Sequence, residues 1–271
     1  MRQFAYTRKQ AHRPTNSKQE TWLMGIETLT VPRLALAFVP VAFVILMMWR
    51  WNHRAGHAVY ATARMLLQLI AVGYVLIFIF EADSGLIISA VLAIMMIAAG
   101  WIALNTIEHS RRSLFPISLI AVMIGGGVTL VLITQGTLQL DPWYRPSYMI
   151  PLAGMTFAQS MTAISLAVER FFSETANGAS FGEARTIAFR AAMIPVINSL
   201  LSVGIIFLPG MMTGQILAGV SPLLAVRYQI MVMCMAFGAS GISTLCFLLL
   251  LARTAAVRSL NPEAPASERR D

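Results

Sequence analysis

The sequence predicts an all-α polytopic membrane protein with about seven transmembrane helices and a broken segment near residues 209–221. Three observations carry this. The 271-residue chain is 57% hydrophobic. Only 12% of its residues are charged, about half the share usual in soluble domains. The charges are also segregated: no Asp, Glu, Lys or Arg occurs in 34–49, 65–80, 84–107, 113–140, 146–168, 191–226 or 228–252, which together cover 168 residues. A water-soluble domain of this length needs a polar surface and could not leave so much chain uncharged, so soluble enzyme classes are excluded.

Residues 1–28 form a polar, basic tail holding both lysines of the chain, Lys9 and Lys18. No apolar stretch follows its basic start before Leu29, unlike a secretory signal. Two readings stay open: a solvated tail, or an upstream extension with the native start at Met24. The transmembrane domain covers 29–252 and a C-terminal tail covers 253–271. The first span is expected from about Pro32 to Trp49, with Trp49 and Trp51 as interface aromatics. After the basic segment Arg50–Arg64 comes a span from Met65 to Phe80. Runs this short call for the flanking Arg stems to snorkel. The third span is Gly85–Asn105. The fourth, Phe115–Leu138, contains Gly125, Gly126 and Gly127, which in lipid let a neighbouring helix come close. The fifth is Tyr148–Val168, followed by a polar stretch to Arg190. The 36-residue run 191–226 is too long for one span and too short for two with a loop. It reads as a helix from Ala191 to Leu208, a break at Pro209-Gly210, and a short apolar segment around Gln215–Ala218. Ser221-Pro222 then caps and opens the last span, which ends near Leu251.

The net charge of +8 comes from 18 Arg and two Lys set mostly at the ends of apolar runs. That is a topology signal rather than a nucleic-acid footprint. If Arg50–Arg64, the 105–114 loop, the 169–190 loop and the C-terminus face the cytoplasm, that side holds twelve basic residues, against Arg145 and Arg227 opposite. The C-terminus is therefore expected in the cytoplasm. Cys234 and Cys246, 12 residues apart on one helix, lie about 18 Å apart and cannot pair.

The span interiors hold no ionisable residue, which argues against a proton relay or an intramembrane aspartyl protease. Gly238-Ala239-Ser240-Gly241 resembles the nucleophile turn of rhomboid proteases. No histidine follows that serine to act as its base, and small-residue helix packing explains the motif better. Met211-Met212 and the group Met231, Met233, Cys234 and Met235 offer soft ligands, but residues two apart do not share a helix face, and gap-filling explains the second group better. Among the uncharged polar residues, Gln68, Gln135, Gln159, Asn198, Gln215 and Gln229, the pair Arg64 and Gln68 share one helix face by their i, i+4 spacing.

The strings Arg64-Met-Leu-Leu-Gln68-Leu, Ile150-Pro-Leu-Ala-Gly-Met155, Arg190-Ala-Ala-Met-Ile-Pro195, Leu208-Pro-Gly-Met-Met-Thr-Gly-Gln-Ile216 and Val226-Arg-Tyr-Gln-Ile-Met-Val232 together resemble the FetB/YbbM-like permeases, a family of iron-export ABC transporter permeases. The likeness spans about 30–252. It implies the membrane-spanning subunit of an ABC exporter of a metal ion, iron by the family label, working as a homodimer in the inner membrane. The chain itself would not be an enzyme and would carry no cofactor. ATP and Mg would belong to a separate ATP-binding cassette subunit, in keeping with the lack of a P-loop here. The alternatives are a non-transporting membrane scaffold and a transporter not driven by ATP.

Within this likeness, Glu174-Thr-Ala-Asn-Gly-Ala179 resembles the coupling signature of ABC permeases. Glu174, Gly178, Ala179, Glu183 and Arg185 are then expected in a coupling helix, with Glu174 near its start. Arg64, Gln68, Asn198, Pro209, Gly210, Met211, Met212, Gln215 and Gln229 are the candidates for the transport path. The family's Leu-Gly-Ala is Asn177-Gly178-Ala179 here. Its acidic residue and lysine after the Ile-Pro string are Asn198 and Leu201, and its Gly-Asn-Ala is Phe157-Ala-Gln159. No cluster of metal ligands is evident.

Overall fold

The computed structural model describes residues 30–51, 55–81, 84–107 and 110–253. The basic tail with Met24 and most of the C-terminal tail lie outside them. The described chain is helical and contains seven helices long and apolar enough to cross a membrane. It divides into two compact units, with the boundary after Tyr74.

In the first unit, α1 (Val31–Leu36) and α2 (Phe38–Arg50) together make the first span. They are separated at Ala37 because Pro40 has no N–H to give to the Leu36 carbonyl. α3 runs Ala55–Glu81 and crosses the unit boundary. It starts ten residues before the expected Met65, so most of the basic Arg50–Arg64 segment is helix, with Arg64 well inside it. Charge ends the membrane-embedded part of such a segment. It does not end the helix, since Arg is a good helix former.

The second unit contains α4 (Gly85–Ile102), α5 (Arg111–Thr137), α6 (Pro146–Ala176), α7 (Phe181–Ser202), α8 (Gly210–Leu217) and α9 (Pro222–Leu251). α9 is its axis and packs on α5, α6, α7 and α8, while α6 packs on α4, α5, α7 and α9. The core joins Phe171 and Leu152 of α6 to Phe247, Leu248 and Met235 of α9, Val122 of α5 and Ile88 of α4, all buried. In lipid this core is held by close packing and interhelical polar contacts more than by expulsion of apolar surface from water.

The triple glycine does what its composition suggests. A Cβ on Gly125 would fall on the Ser243 side chain and backbone nitrogen, and one on Gly126 would meet Phe157 Cδ1 at 3.0 Å and Ser160 Oγ at 3.1 Å. Where α5, α6 and α9 meet, the Ser243 hydroxyl donates to Ser160 Oγ (2.9 Å), and Ser160 donates to the Ala239 carbonyl (3.5 Å). α5 widens to π-helix at Met123–Gly127 and again at Leu132–Thr137. The corner before α5 is clamped by Arg111, whose Nη2 and Nε donate to the Trp101 carbonyl (2.9 and 3.2 Å) while its guanidinium lies 4.1 Å from the Trp101 ring centroid.

The 191–226 run differs from expectation at its first break. α7 ends at Ser202, six residues before Leu208. Gly204 (φ +80°) opens a tight turn in which its N–H donates to the Phe207 carbonyl at 3.0 Å. Pro195, by contrast, sits inside α7 without ending it. Pro209 is not the break itself. It caps α8, a two-turn helix over the expected short segment. Ser221 and Pro222 open α9 as expected, the Ser221 hydroxyl accepting from Leu224 N at 3.4 Å.

Candidate functional site

Two features of the second unit gather most of the polar chemistry, and the first is the α6–α7 hairpin. The charge-free run 146–168 ends at Glu169, yet α6 continues to Ala176. At a helical rise of about 1.5 Å per residue that adds about 12 Å. α7 begins at Phe181, so its first ten residues add about 15 Å before the charge-free run at 191. The segment 169–190 is therefore two helix ends and a four-residue turn rather than a separate helix. Gly178 makes the turn possible: its φ of +89° is open to glycine, and its N–H donates to the Thr175 carbonyl at 3.1 Å. A Cβ there would meet nothing within 4 Å.

Glu174 lies in the last turn of α6, where the helix dipole disfavours a negative charge. The expected placement near a helix start is thus corrected. Arg170 compensates, its Nη2 standing 2.6 Å from Glu174 Oε1 one turn back. The acidic residue at a helix start is Glu183. Ser180 Oγ accepts from Glu183 N at 3.4 Å. In return Glu183 Oε2 accepts from Ser180 N (3.0 Å) and from the Ser180 hydroxyl (2.7 Å), closing a capping box. These bonds from the Ser180 hydroxyl and N–H hold the Glu183 carboxyl below its ordinary pKa. Phe171 is fully buried and meets Phe172 and Phe181 edge-on at 5.6 and 5.2 Å, locking the two helix ends together. Ala179 packs against the core. Asn177, Gly178, Glu183 and Arg185 are left exposed at the tip. Arg170, Ser180 and the aromatic knot were missed in the sequence, although Ser-x-x-Glu before an apolar run is a readable capping signal.

The second feature lies between α6, α7 and α9. A cavity of about 300 Å³ is walled by Gln159 and Thr162 of α6, Pro195 and Ser199 of α7, and Met233 and Ala236 of α9. A second of about 520 Å³ shares Pro195 and Ser199 and adds Asn198, Ser202 and Phe207. Of the path candidates, Asn198 lines one of these two cavities; Gln159, Thr162 and Ser199 were not foreseen in this role. Pro195 contributes by leaving the Ala191 carbonyl without its helical N–H partner.

The remaining candidates of this unit cluster on α8 and α9. Pro209 and Gly210 start α8, Met211 packs on the core, and Met212 and Gln215 are half-buried. Gln229 is buried on α9, and its Oε1, like Gln215 Oε1, has no hydrogen-bond partner. Arg64 and Gln68 are exposed on one face of α3 in the first unit. Among the described residues no group of three His, Cys, Asp or Glu could hold a metal ion. Met231, Met233 and Met235 diverge as expected: Met235 is in the core, Met231 is packed against it, and Met233 faces the cavity. Cys234 and Cys246 are free thiols.

The family model described as "Uncharacterised protein family (UPF0014)" matches residues 31–256. The chain is 36% identical over 219 residues to a UPF0014 membrane protein of Synechocystis sp., covering 75% of this chain and 85% of that one. It is 34% identical over 248 residues to the "Probable iron export permease protein FetB" of Escherichia coli K12, covering 83% and 92%. Over 228 residues it is 33% identical to "Protein ALUMINUM SENSITIVE 3" of Arabidopsis thaliana, covering 78% and 82%. No solved structure matches it.

Proposed function

The chain belongs to the UPF0014 family of membrane proteins, and from that premise we propose that it is the membrane-spanning permease subunit of an ABC exporter. A separate ATP-binding cassette subunit holds ATP and Mg and supplies the hydrolysis. Two copies of the chain form the permease in the inner membrane, with the α6–α7 turn and the C-terminus in the cytoplasm. The cargo is a metal ion, iron by analogy with the name of the E. coli relative.

The observation that carries this reading is the hairpin. An ABC permease must receive force through a rigid cytoplasmic element, and α6 is one continuous helix of 31 residues, about 46 Å long. It runs from the exposed tip past Gln159 in the cavity wall. A capping box on one side of the turn and an ion pair on the other stiffen the tip, and the aromatic knot below makes the two helices move together. Movement of a docked ATPase would tilt α6 and α7 against α9 and change which end of their interface is open.

The test is purification of the full chain from its native membrane. An ATP-hydrolysing subunit should accompany it, and charge reversal at Glu183 should weaken that association most at low salt, where a rim charge is least screened. Recovery of the chain with no ATPase, together with transport that persists when ATP is depleted, would instead favour a transporter not driven by ATP.

A further inference from the structure

Three oxygens of α9 bear on where cargo travels. Gln229 Oε1, Ser240 Oγ and Thr244 Oγ1 are buried with no hydrogen-bond partner; Ser240 and Thr244 are 0% exposed and Gln229 is 6%. A buried polar atom left without a partner is destabilising, so three on one helix need a cause. Their spacing supplies it. Residues 229, 233, 236, 240 and 244 step by four, three, four and four, which places them on one helix face. Met233 and Ala236, in the middle of that series, wall the 300 Å³ cavity.

The same face points between α6 and α7. On one side of Ser240, the Ala239 carbonyl accepts from Ser160 of α6. On the other side, a Cβ on Gly241 would lie 3.8 Å from Met193 Cε of α7. The cavity opens along the half of this seam that holds Met233. Ser240 and Thr244 continue it towards the end with the α6–α7 turn, where it is closed.

The walls also define a chemistry. They come from the charge-free runs 146–168, 191–226 and 228–252. The polar groups at the cavity are the Gln159 amide and the Thr162 and Ser199 hydroxyls, and Thr162 already donates to the Ala158 carbonyl at 2.9 Å. A divalent ion stripped of water asks for about six oxygen ligands, carboxylates among them. An uncompensated charge in such surroundings is expensive.

We propose that cargo moves between α6, α7 and α9 along the Gln229–Met233–Ser240–Thr244 face of α9, and that it crosses as a polar species of no net charge. On this assignment a metal ion would pass only as a neutral complex with its own ligands. Ser240 and Thr244 are the closed half of the path, their hydroxyls unpaired because they serve the other state of the cycle. The inference rests on the permease reading, and its first test does not need the ATPase.

The full chain, with C234A and C246A as background, is placed in lipid nanodiscs, and single cysteines are introduced by M233C, S240C, T244C and, as a control on the opposite face of α9, I242C. Ile242 is 42% exposed. Methanethiosulfonates of similar size but neutral, cationic or anionic character are then compared. M233C should react with the neutral reagent at least ~10-fold faster than I242C does, because a thiol needs water to ionise. It should also react at least ~10-fold faster than with either charged reagent. S240C and T244C should be protected at rest and gain at least ~10-fold in rate during ATP turnover with the partner subunit. Equal rates at M233C and I242C would mean a lipid-filled groove, and equal rates for charged and neutral reagents would refute the neutral-cargo assignment. Continued protection of both S240C and T244C through turnover would remove the path. If no ATPase partner exists, the driving reading fails while the M233C comparison still decides the chemistry of the cavity.

Discussion

Replacing the three glycines of α5 one at a time by alanine should separate a helix crossing from a helix propensity. At Gly125 the new methyl would overlap Ser243, including its backbone nitrogen, so no rotamer change relieves it. α5 and α9 must move apart, at the cost of overpacking, about 1–3 kcal/mol. That movement also strains the buried Ser243–Ser160 hydrogen bond, worth about 0.6–1.7 kcal/mol in membrane helices. The combined loss is about 2–4 kcal/mol. At Gly126 the methyl meets the edge of the Phe157 ring and the Ser160 hydroxyl at 3.0–3.3 Å. Both can shift, so the loss should be about 1 kcal/mol. At Gly127 the nearest atom is Met96 Cε at 3.9 Å, and alanine should be neutral or gain up to about 1 kcal/mol from helix propensity. Equilibrium unfolding in mixed detergent micelles, with folding followed by circular dichroism, reads all three. A Gly125→Ala variant as stable as Gly127→Ala would refute the claim that α5 and α9 touch through Gly125 and Ser243.

Four further outcomes follow from the same geometry. Ser180→Ala should cost about 1 kcal/mol by removing the cap of α7, whereas Ser180→Thr should keep most of it; thermal unfolding of the two variants distinguishes cap from bulk. Arg111→Met removes the charged donor to the Trp101 carbonyl; it should lose about 1–2 kcal/mol, and tryptophan fluorescence should report a looser Trp101. Gly204 has a left-handed backbone, so Gly204→Ala should cost about 1 to about 2 kcal/mol in thermal unfolding. Pro209→Ala with Gly210→Ala should leave the protein folded and slow transport in vesicles; unchanged transport would deny the α8 start any role in gating.

The seven spans were legible because membrane insertion sorts charge from apolar sequence, and 34–49 through 228–252 stand out without reference to tertiary contacts. The ends of the helices were not. Residues 55–64, 169–176 and 181–190 carry charges, which mark where lipid stops, but Arg, Glu and Ala there are good helix formers and the helices run on. Gly204 carries no neighbouring proline to mark its turn, while Pro195 lies within α7 without ending it. The tip of the candidate site was readable as to residues but not as to polarity. Glu174 and Glu183 look alike in sequence, and only the position of the Gly178 turn between them makes one the end of α6 and the other the start of α7. The cavity was hidden for a different reason: Gln159, Thr162, Ser199 and Met233 come from three helices, and their convergence depends on packing angles that no local pattern encodes.

The central claim is that the α6–α7 tip transmits force from an ATP-binding subunit, and site-directed cross-linking in native membranes tests it most directly. Single cysteines are introduced by N177C, G178C and R185C in a background lacking Cys234 and Cys246, with Gly178→Trp and Gly178→Asn assayed beside them. Asn tolerates the left-handed backbone of the turn, while Trp adds bulk at an exposed apex. The account predicts cross-links from all three positions to an ATP-binding subunit, association retained by Gly178→Asn, and association abolished by Gly178→Trp with membrane insertion intact. Cysteines that stay unlinked and freely open to water-soluble reagents, with normal transport by Gly178→Trp, would contradict it.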